Sequence, residues 1–373
     1  MNYPIRIAHI VGKMGSGGVE AVIMNYFRYI DKNKVQFDFI VDEGSTLPCR
    51  KEIESLGGRV IVVPPYEKII EYLKELKKVF NANNYSIVHS HINTLSVFPL
   101  YMAKKCDIQV RIAHNHSIAG KSEWKKNIMK YILRPFSKVF STDHYACTEF
   151  AGNWLFGKKA FKKGVIINNA IDVEKFKYDA YTRKDLRKEF GIEHKFVIGH
   201  VGRFVEVKNQ EFIVNIFNEI QKIKESTLIF IGDKYGSTQE KIKRKVKELK
   251  LENKVIFLPP RNDIYRVYQA FDLFLFPSLH EGFGMALIEA QVAGLPCIAS
   301  DTVPQCTKIC NLVTFLSLDN DVHYWAKKCL ELSDIKRESH VDEAKERGFD
   351  ISIEAKKLEQ MYINYVMKGA PEQ

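Results

Sequence analysis

Apolar and polar positions alternate along the chain in two rhythms. Short β-rich apolar runs fall at 5–11, 37–41, 59–63, 87–89, 110–113, 144–147 and 165–167. Between them, at 19–30, 69–81 and 125–140, apolar residues recur every three and four positions, the period of a helix. The second half repeats the scheme, with strands predicted at 197–201, 228–231, 255–257, 273–276 and 297–299 and helices at 210–223, 239–249 and 285–292. Strands alternating with helices make βαβ units and parallel sheets, so the pattern predicts an α/β protein of two doubly wound domains. The boundary is placed after Asn168-Asn169-Ala170-Ile171, where the strand pattern gives way to a polar stretch at 173–193; the domains are then 1–171 and 172–351. An amphipathic segment at 353–367 fits neither alternation.

Composition agrees with this picture and adds an asymmetry. The 373 residues are 46% hydrophobic and 27% charged, as in soluble globular proteins. There are 56 Lys plus Arg against 45 Asp plus Glu, a net charge of +11. Residues 1–170 hold 25 basic and 14 acidic side chains, net 25 − 14 = +11, and the remainder holds 31 of each. The first half alone therefore attracts an anionic partner, whether nucleic acid, membrane or small molecule. Seven scattered cysteines with no CxxC pair predict reduced thiols and a cytoplasmic protein. The N-terminal apolar run is short and contains Arg6, unlike a signal peptide, and no apolar run nears the ~20 residues that cross a bilayer. Any membrane contact is expected to be peripheral.

Candidate chemistry gathers where strands end. After the strand at 273–276 the chain reads His280-Glu281-Gly282-Phe283-Gly284-Met285, with Glu289 five residues beyond Gly284. Two glycines permit close approach of a ligand, and the helix that opens there points free N–H groups at the turn, a place for an anion. The flanking carboxylates suit sugar hydroxyls better than phosphate. After the strand at 197–201, Gly202-Arg203 and Lys208 offer two cations on one irregular loop, able to turn toward one anionic group. Gly17-Gly18 follows the first strand, and its spacing is not that of a nicotinamide fingerprint. His114 ends the strand at 110–113, on the same face of the first sheet. Asp319-Asn320-Asp321 could suggest a metal, but it precedes a helix-like segment, where an Asp serves as a cap.

This ordered set resembles the retaining glycosyltransferases of family four, which have the GT-B architecture of two facing Rossmann-like domains. The resemblance runs nearly end to end. It rests on Gly17-Gly18-Val19-Glu20, Asn169-Ala170-Ile171-Asp172, Gly202-Arg203 with Lys208, Ala293-Gly294-Leu295-Pro296, and above all Glu281 and Glu289 in an E(x7)E spacing. Within the family the chain is similar to bacterial enzymes of exopolysaccharide and capsule synthesis. The resemblance implies that Arg203 and Lys208 hold the diphosphate of a nucleotide-sugar donor, a UDP-sugar rather than a GDP-sugar. Glu289 would bind the ribose, and Glu281 the donor sugar, helped by the N–H groups of Phe283, Gly284 and Met285. His114 would lie near that sugar, Gly17 and Gly18 near the diphosphate and acceptor, and a C-terminal helix, 352–373, would pack back on the first domain. It further implies retention through a leaving phosphate that deprotonates the acceptor hydroxyl, with no cofactor and no metal. Where family members commonly carry Gly-x-Gly, this chain has Gly232-Asp233-Lys234.

The basic surplus then acquires a location. Lys121, Lys125, Lys126, Lys130, Arg134 and Lys138 recur at near-helical spacing, interleaved with Trp124, Ile128, Ile132, Leu133, Phe136 and Phe140. Such an amphipathic basic helix suits the anionic inner face of the cell membrane, where a lipid-linked acceptor would lie. Alternative readings are a GT-B-like nucleotide-sugar epimerase, which needs no acceptor, and a non-catalytic partner subunit. Nucleic-acid binding lacks any recognisable motif.

Overall fold

The computed structural model describes residues 4–15, 17–116, 124–233 and 236–369, and for 124–127 and 369 the backbone alone. The chain divides into two compact units, Met1–Ile171 with Gly348–Gln373, and Asp172–Arg347.

The first unit is built on seven parallel strands: β1 Ile5–Gly12, β2 Val35–Asp42, β3 Arg59–Val63, β4 Ile87–Ser90, β5 Val110–Asn115, β6 Asp143–Ala146 and β7 Val165–Ile166. Their order is β3-β2-β1-β4-β5-β6-β7. Strand β2 is buried on both faces, which is why its sequence shows a nearly continuous apolar run. The exception, Asp38, is wholly buried and receives Arg6, Arg59 and, at 2.7 Å, the Tyr85 hydroxyl. Burial pushes its carboxyl up, but these donors outweigh burial and hold it below the ordinary value. The last helix, Ile351–Gly369, packs against Gly18–Tyr29 within this unit. The Ile351 N–H donates to Ile171 O, and the Ile171 N–H to Phe349 O, each at 2.9 Å.

One predicted helix is shorter than its pattern. The amphipathic segment at 125–140 is a helix only over Trp124–Leu133 and continues as a 3-10 turn over Arg134–Lys138. Pro135 is the reason: it has no N–H to donate and its ring clashes with the preceding turn. Lys121 lies outside the described residues, as do the side chains of Trp124, Lys125 and Lys126.

The second unit has six parallel strands, β8 Phe196–Val201, β9 Ser226–Ile231, β10 Val255–Leu258, β11 Leu273–Phe276, β12 Cys297–Ser300 and β13 Val313–Leu316, in the order β10-β9-β8-β11-β12-β13. Its core joins Phe204, Phe217, Phe230 and Trp325 with the branched residues of helix Gln210–Ile220. The polar stretch at 173–193 is not a loop. It holds two helices, Val173–Phe176 and Ala180–Glu189, whose N-termini are capped by the side chains of Asp172 and Asp179. Asp321 likewise caps Val322–Glu331, accepting from the Tyr324 N–H at 2.8 Å.

Candidate active site

In the second unit the strand order reverses between β8 and β11, which pair with each other, and open parallel sheets bind ligands at such a reversal. The loops leaving these two strands carry Arg203 and Lys208 on one side and Glu281 on the other. They are fastened together: the Leu279 N–H donates to Val207 O at 2.8 Å, and Asn209 Nδ2 to Pro277 O at 3.1 Å. Asn209 takes the left-handed conformation, φ 56°, that Asn tolerates better than most residues. Lys208 Nζ thereby donates to Glu281 Oε1 at 2.6 Å, with the two side chains 18% and 9% exposed. The ammonium also lies 5.0 Å from the centre of the Phe276 ring.

The sequence pattern set Lys208 and Arg203 toward one anion; the structure pairs Lys208 with Glu281 and leaves Arg203 exposed. A partly desolvated ammonium is stabilised by a carboxylate within hydrogen-bond reach.

Beyond Glu281, Gly284 adopts φ 101° and begins the helix Met285–Val292, which no side chain caps. A residue with a Cβ would be strained at that angle. Phe283 is buried and Met285 partly exposed. Glu289, on the same helix, accepts from the Tyr268 hydroxyl at 2.8 Å. Burial pushes its carboxyl up to about 7, with the Tyr268 hydrogen bond acting in the opposite direction. The sequence did not single out Tyr268. It sits among apolar residues of helix Ile264–Ala270, and only the packing of two helices brings its hydroxyl to Glu289. At the end of β9, a Cβ on Gly232 would collide with the backbone carbonyl of Gly202. Gly232 therefore keeps the β9 loop against Gly202 and Arg203, where the Phe204 N–H donates to Asp233 O at 3.0 Å. Lys234 lies outside the described residues.

In the first unit the strand order reverses between β1 and β4. Gly17 and Gly18 open the helix after β1, and the Glu20 carboxylate folds back to accept from the Gly15 N–H at 3.2 Å. His114, at the end of β5, belongs to a buried group with His9, His89, His91 and His116. In each His-x-His pair, His89/His91 and His114/His116, residues two apart share a face of the sheet, so rings from neighbouring strands stack. The repeated spacing was visible in the sequence; only His114 was singled out. Burial lowers the pKa of all five, to about 3 for His9 and His116, so the rings are neutral. Two triads, His9/His89/His91 and His91/His114/His116, bring ring nitrogens within 4.8 Å of one another, and neutral imidazole is a metal ligand. Neither triad includes a carboxylate, and several of the nitrogens already hydrogen-bond one another.

Comparison with known proteins agrees with this geometry. The family described as "Glycosyltransferase Family 4" matches residues 16–175, and "Glycosyl transferases group 1" matches residues 182–348. EpsF of Bacillus subtilis (strain 168) is 32% identical over 86% of this chain and 86% of its own. The chain belongs to glycosyltransferase family 4. This family member is also 25% identical to the Escherichia coli UDP-Gal:alpha-D-GlcNAc-diphosphoundecaprenol alpha-1,3-galactosyltransferase, over 97% of this chain and 98% of that one. Its fold matches that of Anabaena HepE, crystallised with UDP-glucose, at a TM-score of 0.79 and 16% identity, covering 96% of this chain and 99% of that one. The chain is thus a glycosyltransferase with two parallel-sheet α/β domains of the GT-B type.

Proposed function

We propose that this glycosyltransferase moves a sugar, with retention of configuration, from a UDP-sugar to a saccharide on a lipid-linked carrier during synthesis of an exopolysaccharide, capsule or other cell-surface glycan. One observation carries the reading: the reversal point between β8 and β11 gathers a cation, a carboxylate and an uncapped helix N-terminus, with the second carboxylate, Glu289, on that same helix, the chemistry a nucleotide sugar presents in mirror image. Arg203 and Lys208 neutralise the diphosphate and the charge that grows on it as the sugar leaves. Glu289 accepts from the ribose hydroxyls and Glu281 from those of the donor sugar. The N–H groups of Phe283, Gly284 and Met285 approach the donor. The leaving phosphate takes the acceptor proton on the face it departs from, so these protein cations do the work a metal would otherwise do. The E. coli relative's name, with its UDP-sugar donor and diphosphoundecaprenol acceptor, supports the choice of substrates.

Thermal stabilisation by UDP against GDP tests the donor. At about 100 times the dissociation constant, UDP should add about 2.7 kcal/mol of stability and GDP at equal concentration much less; equal or reversed shifts would refute the base assignment. Transfer should also persist in EDTA.

Glu289 gives the site a pH dependence. Its folded-state pKa of about 7 exceeds the ordinary 4.5, so the unfolded chain binds fewer protons between those values, and this group's contribution to stability falls as pH rises through that window. Ribose binding runs the other way, because the ionised carboxylate is the better acceptor. UDP affinity measured by calorimetry should rise about tenfold from pH 6 to 8, as the ionised fraction grows. In Glu289→Gln the rise should vanish; an unchanged pH profile in that variant would remove Glu289 from the site.

A further inference from the structure

Strand β2 carries two aspartates on one face, Asp38 and Asp42, and only the first has partners. Asp38 receives Arg6, Arg59 and the Tyr85 hydroxyl. Asp42, at the carboxyl end of the strand, is 9% exposed, and among the described residues no donor reaches its carboxylate. Burial pushes its pKa up to about 6, and the charge of Glu67 acts in the same direction. A carboxylate that leaves water without gaining a protein donor destabilises the fold, and such groups concentrate at binding sites.

The surroundings of Asp42 are built around that carboxylate. Gly12 ends β1, the neighbour of β2, and Ile92 follows β4, on the other side of the reversal between β1 and β4. Gly12 takes φ 71°, and a Cβ there would stand 2.9 Å from Ile92 Cγ2 and 3.8 Å from Asp42 Oδ2. Glycine at this position therefore puts no side chain between the carboxylate and the half-buried isoleucine. The loops after β1 and β2 are fastened together: the Met14 N–H donates to Ser45 Oγ at 3.0 Å, Ser45 Oγ to Asp42 O at 2.6 Å, and the Thr46 N–H to Met14 O at 3.1 Å. The backbone of Asp42 is held while its side chain stays unpartnered.

A ligand at this place must bring hydrogen-bond donors and must suit an apolar wall. A metal ion does not fit, because among the described residues Asp42 belongs to no group of three side chains that could hold one. A saccharide meets both demands: neighbouring hydroxyls match the two carboxylate oxygens, and the C–H face of the ring packs on an aliphatic side chain. We propose that Asp42 anchors a saccharide-binding site at the carboxyl end of the first sheet, its carboxylate accepting from the sugar hydroxyls while the ring rests on Ile92 in the space that Gly12 leaves. The site is a property of the first unit alone; only the naming of its saccharide as the acceptor rests on the function proposed above.

The experiment is saturation-transfer NMR of the full-length protein with the methyl α-glycosides of glucose, galactose and N-acetylglucosamine. Wild type should bind at least one of them, and Asp42→Ala should weaken that binding by at least about tenfold, the worth of a hydrogen bond to a charged group. Asp42→Asn, which keeps one acceptor oxygen, should fall between the two. At pH 8 Asp42→Asn should melt as high as wild type or higher, since it removes a desolvated charge, whereas Asp38→Asn, which takes the charge from its donors, should melt lower. The isosteric Asp42→Asn decides by both readouts even if Asp42→Ala fails to fold. Binding of no glycoside by wild type, equal binding by Asp42→Ala, or a melting temperature of Asp42→Asn well below that of wild type would each overturn the site. UDP affinity by calorimetry reads the second unit and should not change in these variants. If UDP does not bind while a glycoside still requires Asp42, the donor reading falls and the saccharide site stands. In transfer, Asp42→Ala should raise the acceptor KM at least about tenfold and leave that of the UDP-sugar unchanged; an unchanged acceptor KM would mean that the saccharide held there is not the acceptor.

Discussion

Lys208→Ala is expected to lower kcat for transfer by about 10²- to 10³-fold, the cost of removing one preorganised charge from a site where negative charge develops. The structure adds a complication. Lys208 and Glu281 form a largely buried pair, so removing the lysine alone strands a carboxylate. The variant should therefore also lose about 3 kcal/mol or less of stability, since breaking one partner of a fully buried pair costs 3 to 5 and this one keeps some contact with water. The two losses can be separated. In Lys208→Met combined with Glu281→Gln both charges are gone, and replacing a buried pair by neutral groups is often nearly neutral for folding. The double variant should regain most of the melting temperature and none of the activity. Recovery of transfer along with stability would mean that the pair serves the fold, and the assignment of both residues to the site would fail.

The fold of both units was more legible than the details of the candidate site. Strands at the centre of each sheet announced themselves because burial on both faces forces continuous apolar runs, as in β2 and β11. Strand β13 did not, because only Val313 and Leu316 of its four residues are buried. Helix Ala180–Glu189 was hidden for a related reason: it buries just Leu186 and Arg187, and Arg187 is held there by Asp272 at 2.9 Å and by the backbone carbonyls of Ala270, Glu193 and Lys195. The loops leaving β8 and β11 were found from the residues they carry. Their pairing was not, since whether Lys208 faces Arg203 or Glu281 depends on two inter-loop hydrogen bonds between residues about seventy positions apart. Tyr268 was missed because it occupies an apolar position in a helix, and its role comes from one hydroxyl whose partner is on another element.

Ile132→Glu combined with Phe150→Glu should abolish binding to anionic vesicles. Helix Trp124–Leu133, the 3-10 turn Arg134–Lys138 and helix Glu149–Phe156 pack together in the first unit. They leave Ile128, Tyr131, Ile132, Phe136, Val139 and Phe150 exposed, the last by 69%. An amphipathic segment packed on a core would have buried that face. Lys130, Arg134 and Lys138 lie among these residues, and among the described residues no helix is long and apolar enough to cross a membrane. If the acceptor is lipid-linked, as proposed, this is the surface expected to meet its leaflet. Two side chains of this size contribute about 3 to 5 kcal/mol when buried, so exchanging both for carboxylates should weaken partitioning by at least about 10²-fold. The three cations add roughly 1 kcal/mol each at low salt, so wild-type binding should fall as salt rises. Neither substitution touches the donor site, and kcat on a water-soluble acceptor analogue should be unchanged while transfer to acceptor in vesicles is lost. Vesicle flotation reads the binding directly. If the double variant floats with anionic vesicles as wild type does, or wild type ignores lipid charge and salt, the exposed face has another partner and the basic surplus of the first 170 residues needs another explanation.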